Sequence, residues 1–175
     1  KGGQSGNASL YYSLTRMPTS GQLTYEGKSY SVEGLSWMDH EFGTSFLEEG
    51  QAGWDWFSIQ LEDGTDLMFF QIRRTDGRTD SHSSGTWVDA SGHVTPLQTR
   101  DFEMKGTQFW QSDQSGAQYP TKWEIQCGPL RLKLTVHPTS FNQELRTKET
   151  TGVNYWEGAV EITGTREGKP VKGRG

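Results

Sequence analysis

The chain has 175 residues, enough for one domain with a substantial core, and carries 22 Gly, 6 Pro and a single Cys. A net charge of -5 excludes the basic footprint of a nucleic-acid binder. Mean hydropathy is -0.79 without an apolar run of membrane-spanning length, and the 12% of aromatic residues excludes a disordered chain.

The predicted elements are strands separated by turns. Residues 9–16, 21–25, 28–34 and 36–42 come first, with Glu26-Gly27 between the second and third. Residues 53–61 and 66–75 follow, separated by Asp63-Gly64. Residues 85–89, 93–96 and 102–105 come next, with Asp76-Gly77 and Ser91-Gly92 as turn signals. The last group is 121–127, 130–137, 155–165 and 169–172, with turns at Gly128-Pro129 and Glu167-Gly168. Such pairs supply the positive φ that tight hairpins need. Residues 43–51 read as a loop, and 112–120 as a polar excursion in which Tyr119-Pro120 favours extended backbone. Many short strands without a helical period imply an all-β barrel or sandwich. No linker divides residues 1–175.

Two strands alternate in an unusual way. In Trp54-Asp55-Trp56-Phe57-Ser58-Ile59-Gln60-Leu61 neither face is plainly polar. In Leu67-Met68-Phe69-Phe70-Gln71-Ile72-Arg73 the two faces are again mixed. A strand with water on one side should split more cleanly, so both faces are expected to be covered. A barrel with a mixed aromatic and polar lumen satisfies this, and a sandwich strand with a decorated outer face is the alternative.

The densest chemistry lies in Trp37-Met38-Asp39-His40-Glu41-Phe42-Gly43. Strand alternation puts Met38, His40 and Phe42 on one face, and Trp37, Asp39 and Glu41 on the other. His40 can serve as general acid or base near neutral pH, or simply fix a loop by hydrogen bonding. Asp55, between Trp54 and Trp56, is either a carboxyl with a raised pKa able to protonate a substrate or a partner for Arg73 or Arg74. Gln71 and Arg73 share a face and could bind a polar ligand head. Glu157, beside Trp156, is a further candidate or a salt-bridge partner. Cys127 excludes an internal disulfide and Cys-rich metal modules, and four scattered histidines offer no strong metal site. Nucleophile elbows, HExxH, phosphate loops and Rossmann glycines are all absent.

Four segments then carry a resemblance: Tyr11-Tyr12-Ser13-Leu14-Thr15-Arg16, Trp37-Met38-Asp39-His40-Glu41-Phe42, Gly53-Trp54-Asp55-Trp56-Phe57 and Tyr155-Trp156-Glu157-Gly158-Ala159-Val160. In this order they resemble the carotenoid 1,2-hydratase / AttH-like lipocalin family, in its secreted-hydrolase-labelled branch. The resemblance implies an antiparallel lipocalin-like β-barrel, the C-terminal one of two, with a preceding lipocalin-like domain as partner. It also implies that the closing strand lies beyond Gly175, and that the protein is secreted or in the cell envelope.

By resemblance, the activity is hydration of an isoprenoid or polyene double bond without cofactor or metal. A carboxylic acid protonates the alkene and water captures the carbocation. His40 falls at the family's motif histidine, and Phe42 stands where many members have Trp. The expected catalytic set is His40 and Asp55, oriented by Asp39, Glu41 and Glu157. Trp37, Phe42, Trp54, Trp56, Gln71, Arg73 and Trp156 are expected to line or brace the site of a lipophilic small molecule. A non-catalytic carrier and a structural domain supporting a partner barrel stand as alternatives. The enzyme requires His40 and a carboxylate facing one cavity; a structural domain would have its lumen filled by its own side chains.

Overall fold

A computed structural model describes residues 9–43, 47–147, 149 and 153–175. Two long strands open it, β1 (Ser9–Tyr25) and β2 (Lys28–Gly43). β3 (Gln51–Leu61), β4 (Asp66–Arg74), β5 (Ser84–Val88) and β6 (Val94–Gln98) follow. A short 3-10 turn (Thr99–Asp101) leads to β7 (Phe102–Gln111), β8 (Gln118–Cys127) and β9 (Leu132–Pro138). β10 (Glu144–Arg146), β11 (Asn154–Trp156), β12 (Val160–Arg166) and β13 (Lys169–Arg174) complete it.

Nine strands form one antiparallel sheet in the order β6-β5-β4-β3-β13-β12-β9-β8-β7. The sheet curls so that distant strands meet across its inside. Phe57 on β3 meets Trp123 on β8 edge-on at 5.3 Å, and Phe69 on β4 meets Phe102 on β7 at 5.0 Å. Around these rings Ile59, Leu67, Ile125, Leu134 and Ile162 are buried in one cluster. Removing this apolar surface from water is what holds the curl. β6 and β7 lie at the two ends of the strand order, so the architecture is a curled half-barrel rather than a closed barrel. β13 meets β3 only at Gly173↔Leu61 and Arg174↔Gln60, and leaves the Gly53 end of β3 beyond that ladder.

The turns fall where the sequence places them. Glu26-Gly27 and Glu167-Gly168 have positive φ at both residues, as a two-residue hairpin turn needs. The four short strands expected over residues 9–42 are one hairpin, β1 with β2, interrupted by a bulge between Leu14 and Met17. The strand expected over 155–165 is broken into β11 and β12. Gly158 lies in that break, where a Cβ would come within 2.3 Å of the Trp156 ring. The loop expected at 43–51 falls partly on residues 44–46, outside the described set. β10 has no counterpart among the predicted strands.

The hairpin is not part of the nine-stranded sheet. Its base is tied to the sheet at Asp66, which is buried. Arg16 Nη2 donates to Asp66 Oδ1 at 2.7 Å and to the Leu61 carbonyl at 3.0 Å. Thr15 Oγ1 donates to Asp66 Oδ2 at 2.8 Å, and Gln60 Nε2 donates to the Thr15 carbonyl at 2.6 Å. The bulge is what brings both Thr15 and Arg16 to the sheet side of β1.

Candidate functional site

The register of β3 with β4 sorts the candidate residues by face. Paired residues share a face, so Asp55 with Gln71, Phe57 with Phe69, and Ile59 with Leu67 all point inward. Trp54, Trp56, Ser58 and Gln60 point outward. The mixed alternation thus has a cause other than a mixed lumen. The outward face of β3 is covered by the hairpin, through Trp56 and Gln60. Trp54 and Trp56 therefore do not flank Asp55 in one pocket, as expected from the sequence; they lie across the sheet from it.

Asp55 sits on the inner face, one step beyond Phe57 toward the Gly53 end. Its side chain is 9% exposed. Gln71 Nε2 donates to Oδ2 at 3.4 Å, and Arg73 Nε stands 3.5 Å from the same oxygen. Both partners are long, and the Arg73 side chain is 48% exposed. Burial consequently outweighs the Arg73 charge and the Gln71 hydrogen bond, and holds the Asp55 carboxyl above its ordinary range. Thr79 Oγ1 donates to Gln71 Oε1 at 3.5 Å, fixing which end of the amide faces Asp55. Gly53 makes room for this group: a Cβ there would meet Arg73 Nη2 at 2.8 Å. The expected pairing of Asp55 with Arg73 is present as a loose contact.

A second cluster forms the seam between hairpin and sheet. Asp39 Oδ1 accepts from Tyr11 Oη, from Ser13 Oγ at 2.5 Å and from Trp37 Nε1 at 2.9 Å. Trp56 Nε1 donates to Tyr11 Oη at 3.1 Å, and the Trp37 and Trp56 rings meet edge-on at 6.4 Å. Burial, then donation to Asp39, push the Tyr11 phenol up to about 12. Tyr11, Ser13 and this function of Asp39 were not among the candidates. The signal was the cross-strand register Tyr11↔Glu41, Tyr12↔His40 and Ser13↔Asp39, visible only if the first hairpin is extended as one ladder.

His40 is on the other face of the hairpin. Its Nδ1 lies 3.0 Å from Tyr12 Oη, and its ring stands 5.3 Å from those of both Tyr12 and Phe42. The expected sharing of a face by Met38, His40 and Phe42 is correct. The expected meeting of His40 with Asp55 is not present: the Asp39 seam and the thickness of β3 lie between them. Asp39 does not orient His40 either, because adjacent strand residues point apart. Glu41 shares the Asp39 face by alternation. Trp156 packs against the core and donates Nε1 to the Phe141 carbonyl at 2.7 Å. Glu157 faces Tyr155, whose phenol is raised by burial and by this carboxylate.

A shallow surface depression of ≈ 510 Å³ beside β5 and β6 is lined by residues 81–84 and 96–100 and contains none of these candidates. Among the described residues no group of three or more His, Cys, Asp or Glu side chains could hold a metal ion.

The whole chain, residues 1–175, matches the AttH-like family model. The chain belongs to the AttH-like family. It is 34% identical to an AttH homologue from Nitrosomonas europaea of known crystal structure, with a TM-score of 0.86 over 99% of this chain and 53% of that one. Kievitone hydratase from Nectria haematococca has the same fold, with a TM-score of 0.76 at 18% identity over 95% of this chain and 51% of that one. The AttH-like chain thus spans about half the length of these two solved structures. No curated protein matches it. The fold is all-β and lipocalin-like, as expected from the sequence.

Proposed function

We propose that this AttH-like domain binds a lipophilic, isoprenoid- or polyene-like molecule at the Gly53 end of its inner face and hydrates a double bond there. The observation that carries this reading is Asp55, a carboxyl 9% exposed on the strand face it shares with Phe57 and held above its ordinary pKa by burial. One structural neighbour, kievitone hydratase, is named for the same reaction class. Fold likeness alone does not fix chemistry; the Asp55 side chain would supply it.

The step is balanced without a cofactor. Asp55 Oδ gives its proton to one alkene carbon, forming a C–H bond and leaving the positive charge on the neighbouring carbon. The faces of aromatic side chains such as Phe57 stabilise that cation. Water oxygen adds to the cation, and the proton it sheds returns to the Asp55 carboxylate. Gln71 and Arg73 hold the carboxyl in place and receive the polar end of the ligand. His40, on the hairpin's outer face, has no part in this cycle within the chain itself.

A structural domain supporting a partner barrel is the second reading, favoured by the packing of Phe57 on Trp123 and Phe69 on Phe102 across the interior. The two are separated by incubating the chain with acyclic isoprenoids and polyenes in heavy-oxygen water. Mass spectrometry of products and retained ligands gives the answer. Labelled alcohol that disappears in Asp55→Asn supports hydration. A ligand retained unchanged supports a carrier instead, and the absence of both product and retained ligand overturns hydration and supports the structural domain.

A further inference from the structure

The depression beside β5 and β6 forms where an antiparallel pair stops being a sheet. The ladder ends at Ser84↔Gln98, and two residues beyond it on the two chains stand His82 and Arg100. Thr99 Oγ1 keeps those chains together past the ladder, donating to the Ser83 carbonyl and, at 3.1 Å, to the Ser81 carbonyl. Residues 81–84 and 96–100 together line the ≈ 510 Å³ of the depression.

His82 is held from behind. Asp80, whose side chain is 4% exposed, accepts through Oδ1 from the His82 backbone N–H at 3.0 Å and stands 2.8 Å from His82 Nδ1. Arg74 Nη1 at 2.8 Å and Gln51 Nε2 at 3.2 Å donate to Oδ2. The His82 backbone N–H first, then the His82, Gln51 and Arg74 side chains, hold the Asp80 carboxyl well below its ordinary range despite burial. An ionised carboxylate can only accept, so Nδ1 carries the hydrogen of their contact. Nε2 is left on the side of the ring turned away from Asp80, and in the imidazolium form it presents a charged donor.

The rest of the lining is also short of acceptors. Arg100 is exposed and makes no hydrogen bond or ion pair among the described residues. Ser83 is 3% exposed, and its Oγ accepts from the Ile72 backbone N–H at 3.0 Å. The hydroxyl's own hydrogen has no acceptor among the described residues, which is costly for a buried group. No Asp or Glu lines the depression, on a chain of net charge -5. Unmatched donors on two cationic side chains and a hydroxyl call for an anion. A phosphoryl group suits them better than a carboxylate: it offers three terminal oxygens in different directions to donors arriving from two chains. Pro96 and Leu97 supply apolar surface for the organic part of such a molecule.

We propose that this depression binds the phosphate group of a small phosphomonoester, with the Arg100 guanidinium and the Nε2–H of His82 as its charged donors. The site uses neither Asp55 nor the inner face of the sheet, and it is independent of the hydration reading.

The test is a titration of the chain with phenyl phosphate at constant ionic strength, followed by NMR of the backbone amides and of the His82 ring nitrogens. Saturable shifts are expected in residues 81–84 and 96–100, with His82 Nε2 moving more than Nδ1. Arg100→Ala and His82→Gln change exposed side chains, so both variants should keep the spectrum of the rest of the sheet. Each should bind phenyl phosphate about tenfold more weakly, the loss of one charge-assisted hydrogen bond. Inorganic phosphate should shift the same residues, and benzoate should bind about tenfold more weakly than phenyl phosphate because it offers fewer oxygens. Unsaturable shifts spread over the basic side chains of the whole surface, or undiminished affinity in both variants, overturn the site. Benzoate binding as tightly as phenyl phosphate overturns the assignment to phosphate.

Discussion

Phe69 on β4 and Leu23 on β1 both belong to strands with alternating apolar side chains, yet one is fully buried and the other 57% exposed. In the nine-stranded sheet the apolar face turns inward, and rings from opposite strands close on one another. In the β1–β2 ribbon the pairs Leu10↔Phe42, Leu14↔Met38 and Leu23↔Tyr30 turn outward, and the other face is tied to the sheet by Arg16, Asp66 and the Asp39 seam. The difference teaches that strand periodicity fixes which residues share a face, but not which face becomes interior. Here a buried Asp66 with Arg16 and Thr15 around it, and the Trp37–Trp56 contact, anchor the hairpin by its Asp39 side.

This contrast can be broken at several points. Phe69→Ala removes a fully buried ring and should cost about 3–5 kcal/mol in denaturant unfolding, enough to threaten the whole sheet. A cost under about 1 kcal/mol would show that the ring is not part of a packed interior. Arg16→Ala leaves the Asp66 carboxylate buried without its cation. Because Arg16 is itself partly exposed, the expected loss is about 2 kcal/mol, below the value for a fully buried pair. Hydrogen exchange should rise in β1 and β2 before it rises in β3 and β4. Uniform acceleration would mean the ribbon is no separate unit.

Asp55→Asn should act in the opposite direction. Below the unfolded-chain pKa of about 3.9 both states hold the proton, and Asp55 costs nothing. Above it the unfolded chain ionises first while the folded carboxyl keeps its proton, so stability falls with rising pH until the folded group ionises too. The variant should remove that decline and raise Tm slightly at pH 7 while abolishing hydration. A lowered Tm would show that the Arg73 contact outweighs burial. The smallest effect is expected at Leu23→Ala: within about 0.5 kcal/mol in the chain alone, because the side chain is exposed among the described residues. A loss above about 1.5 kcal/mol would mean that the tip packs on the same molecule.

Much of the fold was legible because its signals are local. Glu26-Gly27, Asp63-Gly64 and Glu167-Gly168 mark turns through their backbone, whatever surrounds them. The shared face of Met38, His40 and Phe42 follows from pleating. What could not be read is tertiary. Asp55 and Trp56 are neighbours in sequence, but the sheet separates them, and only the position of the hairpin tells which of the two is inside. The bulge between Leu14 and Met17 leaves no distinct residue signature, yet it aims Arg16 at Asp66. The enzyme reading required His40, the motif histidine, and Asp55, between two Trp, to face one cavity; the segments that carry them come together around Asp39 and Trp56 instead.

The most direct test is the titration of Asp55 itself, followed by carbon NMR of the labelled side-chain carboxyl in the folded chain and assigned with Asp55→Asn. A midpoint above the ordinary aspartate range would establish a desolvated acid on the inner face, as this account predicts. A midpoint at or below that range would show Arg73 in command of the carboxylate, and would contradict Asp55 as the proton donor.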